Sequence, residues 1–529
     1  MQHPHSVPIH LVWFKRDLRT CDHAALHQAW YRAKTLSQPL LPLCLFEFRL
    51  WTQPDTSGRH SWFWADSVQT LSQRLQTLGS RLVVSTASVT DVLAHLLAQG
   101  YAPTLYSHQE TGNDESHARD RTVERFCRAH RIEWHQPRQL PIQRGRHTRR
   151  DRWASEARHF FDQACLPEPD RLPAWPDSLT VPGRIALHRL THYLPPDPLA
   201  KRQDIQAGGR DNGLALLNTF LHHRHHRYLR TLSKPSYHGQ FSSRLSAHLA
   251  FGTLSMREVI RAARQALADS PARRDLKAFI QRLHWQSHFM QKLETEPDLT
   301  HRALHPVMRA LEQPFNDTFY QAWLSGRTGY PLVDACMRCV ATTGWLPFRM
   351  RALVMSFASY QLNLPWQTTS KHLARCFTDY EPGIHYPQVQ MQSGMTGINA
   401  MRVYNPVKQS IDQDADGRFI AHWLPELAHL PTHWRHTPWE LATHQREALT
   451  LASHYPTEPI VWHPPAARAA KQLRSQWLKT DQAKAESRKV YQTHGSRRRA
   501  NARRKNTTLQ SSDQSNEKPQ GDSAQLPLF

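Results

Sequence analysis

Residues 1 to about 136 alternate short apolar runs with amphipathic stretches, and this alternation limits the fold more than any other feature of the chain. The runs are IHLVWF (9–14), LLPLCLF (40–46), RLVVST (81–86), TLYSH (104–108) and IEWHQ (132–136). Between them lie DHAALHQAWYRA, SWFWADSVQTLSQRLQTLG, SVTDVLAHLLAQG and HARDRTVERFCRAH, whose apolar residues recur at helical spacing. Strands alternating with helices predict an α/β doubly wound parallel sheet. No GxGxxG occurs in this stretch, so one common dinucleotide fingerprint is missing.

The pattern then changes three times. Residues 137–205 are rich in Pro and Arg, and LPEPDRLPAWPDSLTVPG and LPPDPLAK cannot be long helices, because Pro lacks the donor and clashes inside one. They read as a long irregular connector wrapped over two domains. Residues 206–465 show helices without clear strands, among them GLALLNTFLHHRHHRYL, MREVIRAARQALA, RDLKAFIQRLHWQSHFMQKLE, YPLVDACMRCVATTG and FRMRALVMSFASYQL. Trp, His and Arg fall among their apolar positions, as in a helical domain that encloses a ligand. Residues 466–529 turn Lys/Arg-rich and then Ser/Gln/Asn-rich, which predicts a disordered basic tail.

A net charge of +23 over 529 residues calls for a polyanionic partner, most simply nucleic acid. An anionic membrane surface is the competing reading, but no run of about 18 apolar residues could span a bilayer. MQHPHSVPIH lacks the features of a signal peptide, so a cytosolic or bacterial nucleoid location is expected. The seven Cys are scattered and odd in number, against a disulfide framework. Cys336 and Cys339 form a CxxC, but in a helical pattern with only Cys376 downstream, so they read as small buried residues and no metal site is expected.

Three long motifs in order carry a resemblance. HLVWFKRDLRTCDHAAL, GRTGYPLVDACMRCVATTGW and RVYNPVKQSIDQDADGRFIAHWLPEL are similar to segments of the photolyase/cryptochrome superfamily, over roughly residues 9–440. The resemblance implies an antenna-type α/β domain followed by an all-α C-terminal domain holding FAD in a bent form. It also implies UV-damaged DNA as partner, and either light-driven repair or blue-light sensing as function. By the same resemblance the loop SHQETGNDESHARD (107–120) stands where an antenna pigment binds, and a pterin, a deazaflavin and no second chromophore are all compatible with it.

Site residues carry over one position at a time. RYLRTLSKPSYHGQFSSRLSAHLAFGTLS resembles the phosphate-cradling segment, with Tyr228 as a flavin contact and Ser242, Ser243, Leu245 and Ser246 in a Thr-Ser-x-Leu-Ser run. RLHWQSHFMQKLE resembles the Trp-Arg-Glu-Phe helix. Trp285 would stack on the lesion, although a plain core Trp is the simpler reading of that residue alone. Gln286 and Ser287 replace the Arg and Glu after it, and Arg282 replaces a Glu before it, so polar recognition of the lesion must differ. GWLPFRMRALVMSF matches Gly-Trp-x-x-Asn-Arg-x-Arg, with Phe348 in place of Asn, Arg351 beside the flavin and Arg349 towards DNA.

Asp379 and Glu381 stand for the two acids that would bind the isoalloxazine edge and pair with Arg351. His385 falls near flavin N5, where it could give or take a proton. Of the electron-relay tryptophans only Trp366 has a match, while Val389 and Gln313 take the inner and outer places. Trp345, Tyr330 or Tyr386 would substitute, or the flavin would arrive already reduced. These departures, with a shortened loop before RVYNP, point to a divergent bacterial branch and favour single-stranded lesions.

The expected function is a monomeric, light-driven deoxyribodipyrimidine photo-lyase acting on cyclobutane dimers. A cryptochrome-type photoreceptor, a (6-4) photoproduct enzyme using His288 and His385, and a DNA-binding flavoprotein without photochemistry are the rivals. The chain ends in QLPLF; Gln525, Leu526, Leu528 and Phe529 resemble the short motif by which bacterial proteins hook onto the sliding DNA clamp.

Overall fold

The structure, a computed structural model, describes residues 6–145, 150–399 and 401–495. The five apolar runs become parallel strands: β1 (Val7–Phe14), β2 (Leu40–Leu45), β3 (Val83–Ser85), β4 (Tyr101–Tyr106) and β5 (Trp134–His135). A two-residue β6 (Arg184–Ile185) joins β3 antiparallel, giving the order β5-β4-β1-β2-β3-β6. The chain builds outwards from β1 to β3, then crosses back to place β4 and β5 on the other side. The sheet is therefore doubly wound, with its switch point between β1 and β4.

Helices α1 (Ala24–Thr35), α2 (Gly58–Thr77), α3 (Val89–Ala98) and α4 (Asp114–Ala129) follow the first four strands. β2 is buried throughout and β1 from Ile9 onwards, which is why neither alternates with polar residues. Ser88 and Asp91 form a capping box on α3, and Asn113 caps α4.

The connector departs from its expected irregular form. The two Pro-rich segments contain no α-helix, but α5 (Arg150–Asp162) precedes them. Its Trp153, Ala157, Phe160 and Phe161 bury against Leu276 and Phe279 of the helical half. A four-residue apolar stripe in an Arg-rich stretch thus outweighed composition.

The helical half includes α6 (Met256–Asp269), α7 (Arg273–Thr295), α8 (Pro331–Thr343), α9 (Phe348–Ser356), α10 (Trp366–Cys376) and α11 (Pro382–Gln392). α11 packs between α7 and α9. At Gly383 it approaches α7 so closely that a Cβ would lie 2.9 Å from Met290 Cα. Cys336 and Cys339 are free, buried residues of α8, as read from the sequence.

The two halves are joined by buried polar contacts. Arg59 of α2, fully buried, pairs with Asp197 at 2.8 Å and also donates to the carbonyls of Val340, Ala341 and Cys376. Gly252 adopts φ +64° where a Cβ would lie 2.3 Å from Arg16 O.

The tail beginning at residue 466 also needs correction. α12 (His463–Leu478) and α13 (Asp481–His494) are helices. Arg474, Ala467, Ala470, Ala483 and Val490 on them are buried, so small residues and one desolvated Arg anchor a segment whose average composition is polar. The terminal Gln525, Leu526, Leu528 and Phe529 lie outside the described residues. No helix among the described residues is long and apolar enough to cross a membrane.

Candidate functional site

The helical half holds a cavity of about 340 Å³ whose floor is α11 and whose walls include α7 and α9. Its volume lies within the range of cofactor clefts. Tyr228, Ser242, Ser243, Leu245, Ser246, Trp285, Gln286, Arg351, Asp379, Glu381 and His385 all line it. Arg349 and Trp366 do not.

Arg351, on α9, meets Asp379 through two bonds of 2.9 and 2.7 Å. Its Nε donates to Leu346 O at 2.8 Å, and the guanidinium lies 4.1 Å from the Phe377 ring centre. Burial pushes the Asp379 carboxyl up, but the Arg351 charge and hydrogen bonds prevail and hold it below its usual value. The pair is thus a fixed, ionised fork on the cavity wall.

Glu381 does not join that pair, contrary to the expectation. It caps α11 and lies 3.5 Å from Arg16 of the α/β half. Arg16 is held there by bonds to Tyr380 O (2.7 Å) and Ala250 O (2.9 Å). Burial raises the Glu381 carboxyl above its ordinary value.

His385 has its Nε2 2.9 Å from Ser370 O. A carbonyl can only accept, so Nε2 carries the proton and Nδ1 is an acceptor. Burial lowers the ring's pKa to about 4, leaving it neutral near pH 7. Of the two roles read from the sequence, this tautomer suits taking a proton.

The carbonyls of Ser242 and Ser243 accept from Arg224, and that of Arg244 accepts from Gln206. Arg244 is in the left-handed region at φ +59°, unusual for a side chain of its size, and lines the cavity. Its guanidinium lies 4.4 Å from the Trp345 ring centre, and burial lowers its pKa to about 10, still cationic at neutral pH. Position 244 is the variable place of the Thr-Ser-x-Leu-Ser run. A cation inside a Ser-Ser-x-Leu-Ser run was the available signal.

Trp285 stands half-buried on α7, with Gln286 beside it and Arg282 one turn earlier, all on the lining. Arg282 has no carboxylate partner among the described residues. Arg349 points elsewhere, 5.8 Å from the Tyr404 ring. Trp366 is buried in the core behind, whereas Trp345 is half-buried and lies on the lining, its Nε1 3.2 Å from Ser246 Oγ. Tyr330 and Tyr386 are buried off the lining, bonded to Val461 O and Asp55 at 3.0 Å each. His288 is also off the lining. Gln388 and Gln392 are on it and were missed, because amides on a helix give no motif.

The fit to a flavin dinucleotide is chemical. Apolar walls suit a ring system, a paired Arg and carboxylate suit a polar ring edge, and Arg244 with the Ser run suits a pyrophosphate.

A second cavity of about 100 Å³ lies at the carboxyl ends of β1 and β2, between Lys15, Trp51, Asn113, Arg119 and Tyr380. Buried ion pairs surround it: Arg119 with Glu47 (2.7 Å), Glu110 (2.6 Å) and Asp120 (2.9 Å), and Lys15 with Asp120 (3.3 Å). Loop 107–120 therefore does reach a cavity. Close by, Asp17, His23 and His108 form a buried cluster with metal-ligand spacing. Its imidazoles are already engaged: the second nitrogens accept from Leu26 N (2.9 Å) and Ala24 N (3.1 Å), capping α1.

Comparison with known proteins agrees with this geometry. Residues 10–147 match the family described as DNA photolyase, and residues 279–476 match the FAD binding domain of DNA photolyase. The chain is 26% identical over 479 residues to a deoxyribodipyrimidine photo-lyase of Alkalihalophilus pseudofirmus, covering 85% of this chain and 95% of the relative. It is 27% identical over 487 residues to cryptochrome DASH of Synechocystis, covering 87% and 96%. A bacterial class III photolyase from Agrobacterium tumefaciens superposes with a TM-score of 0.78 at 25% identity, covering 90% of this chain and 98% of that one.

Proposed function

Because the chain belongs to the photolyase/cryptochrome superfamily and FAD is its cofactor, we propose that it is a light-driven lyase that splits cyclobutane pyrimidine dimers in DNA. The observation that carries the reading is one cavity shared by the Arg351–Asp379 fork and the half-buried face of Trp285. FAD, when bound, supplies the light-driven electron. The chain supplies the rest: Arg351 and Asp379 orient a polar ring edge, and neutral His385 offers an acceptor. Arg244 with Ser242, Ser243 and Ser246 holds a pyrophosphate, and Tyr228 closes one wall. Trp285 stacks on the extruded lesion, Gln286 borders it, and Arg349 with the net charge of +23 engages phosphates.

The α/β domain comprises residues 1–136, the connector 137–205, and the helical domain runs from 206 past 465 through residue 495. An antenna pigment, pterin or deazaflavin, is assigned to the cavity of loop 107–120. The short stretch between α11 and RVYNP gives little to wedge into a duplex, which favours single-stranded lesions. The protein works as a monomer in the cytoplasm, near the nucleoid. QLPLF hooks it to the sliding clamp, and clamp capture with and without residues 525–529 tests that part.

The (6-4) alternative is weakened because of its two candidate imidazoles only His385 lines the cavity. The photoreceptor alternative draws on the cryptochrome relatives and on the broken Trp chain, with Val389 on the lining at the inner relay place. Blue-light cleavage of a thymine dimer, on single- and double-stranded oligonucleotides with FAD-loaded protein, decides. Cleavage on the single strand is expected; none on either leaves the photoreceptor.

A further inference from the structure

We infer that Gln388 and Gln392 of α11 read the pyrimidine edges of the bound lesion through their side-chain amides. The inference rests on the repair reading above and adds the residues that set its specificity. Both side chains lie one turn apart on the floor of the large cavity. Both Oε1 atoms are buried without a hydrogen bond, and Gln392 as a whole is only 4% exposed. Neighbouring polar groups are engaged: Asp379 with Arg351, His385 with Ser370 O, and Ser246 with Trp345.

Buried amides without partners destabilise a fold, and native chains keep few of them. Leu or Met would fill the same space without that penalty. Two such amides on successive turns, both on residues that line one cavity, point to a partner that arrives with the ligand and is met when each carboxamide turns about its last side-chain bond to bring its oxygen to the cavity. A carboxamide presents one acceptor and one donor side by side. Its complement is a cyclic imide, in which an N–H sits next to a carbonyl, as on the N3/O4 edge of thymine or uracil. Phosphate offers no such donor. Closing a cyclobutane ring consumes the C5–C6 double bonds and leaves both imide edges intact, so a dimer carries two edges for two glutamines. The isoalloxazine carries the same chemistry, and the experiment separates the two sources.

FAD-loaded full-length wild type, Gln388→Leu, Gln392→Met and the double variant are compared in the dark. The probes are a single-stranded oligonucleotide carrying one thymine dimer, the same oligonucleotide undamaged, and one whose dimer is methylated at both N3 positions. Flavin content and Tm are recorded alongside. Wild type is expected to prefer the dimer and to lose roughly tenfold or more in affinity on N3 methylation. The double variant is expected to bind both dimers equally, to retain flavin, and to show a Tm no lower than wild type. A double variant that keeps the full methylation penalty overturns the inference, as does loss of flavin, which would turn the glutamines towards the isoalloxazine. Wild type that prefers the dimer but ignores methylation overturns this inference alone. Wild type without any preference removes the repair reading as well.

Discussion

Arg351 and Asp379 face each other in a planar, two-bond fork of 2.9 and 2.7 Å, with Asp379 almost wholly buried and Arg351 about a quarter exposed. Such a fork fixes both groups before any ligand arrives. Arg351→Ala would strand a buried carboxylate and is expected to destabilise the protein by about 2–4 kcal/mol. Flavin occupancy should fall with it. Retained flavin with an unchanged absorption spectrum would show that the fork does not hold the cofactor.

Two titratable groups of the cavity lining, Asp379 and His385, separate in pH. Asp379 is depressed below 3.8, so its contribution is full above that value and fades only as pH falls through its lower folded pKa. His385 is depressed from 6.5 to about 4. Folding therefore favours its neutral form, and that advantage is full above pH 6.5 and lost as pH falls towards 4. Wild-type Tm should decline over this window before Asp379 titrates, and His385→Asn should make the decline shallower without abolishing it, because burial lowers His60 and His248 to about 4 and His108 and His372 to about 3 as well. An unflattened variant would assign the acid sensitivity elsewhere.

Much of this arrangement was legible in residue order. The five strands were readable because a parallel sheet buries both faces and so carries uninterrupted apolar runs, as in β2. Trp285, Arg351 and the 242–246 run were readable because they sit inside long motifs. The pairing of Glu381 with Arg16 was not, because the partners are 365 positions apart and meet only when the halves dock. α12 and α13 were hidden because a few small buried side chains hold them while average composition reports the polar majority. Gln388 and Gln392 were hidden because an unsatisfied amide is defined by its surroundings.

Trp285→Ala tests the stacking role. Base–aromatic stacking is worth about 1–3 kcal/mol, so dimer affinity in the dark should fall by roughly ten- to a hundredfold while flavin remains bound. Loss of flavin instead would make Trp285 a structural wall of the cofactor site.

Electron entry should run through Trp345. It is half-buried on the cavity lining, whereas Trp366, Tyr330 and Tyr386 are buried off it. Trp345→Phe is expected to slow light-driven reduction of FAD by an external donor several-fold, and Trp366→Phe to leave the rate near wild type. The reverse order of effects would place the route through the core.

Arg474 makes the tail helix α12 part of the fold. It is fully buried, donates to Ser359 O at 2.8 Å and Ser393 O at 3.2 Å, and its guanidinium lies 4.4 Å from the Tyr360 ring centre. No carboxylate pairs with it among the described residues, and burial lowers its pKa from 12.5. The charge is held by carbonyls and an aromatic face instead. Arg474→Met removes the buried charge but leaves Ser393 O, directly after α11, without this donor, and Ser359 O with only the longer 3.4 Å bond from Gln313 Nε2. A loss of about 1–3 kcal/mol is expected, read as a lower Tm. Arg474→Lys should not restore it, because an ammonium cannot reach both carbonyls in the plane a guanidinium spans. If Arg474→Met melts like wild type, α12 is a passive cover and its burial contributes nothing that the rest of the helical domain lacks.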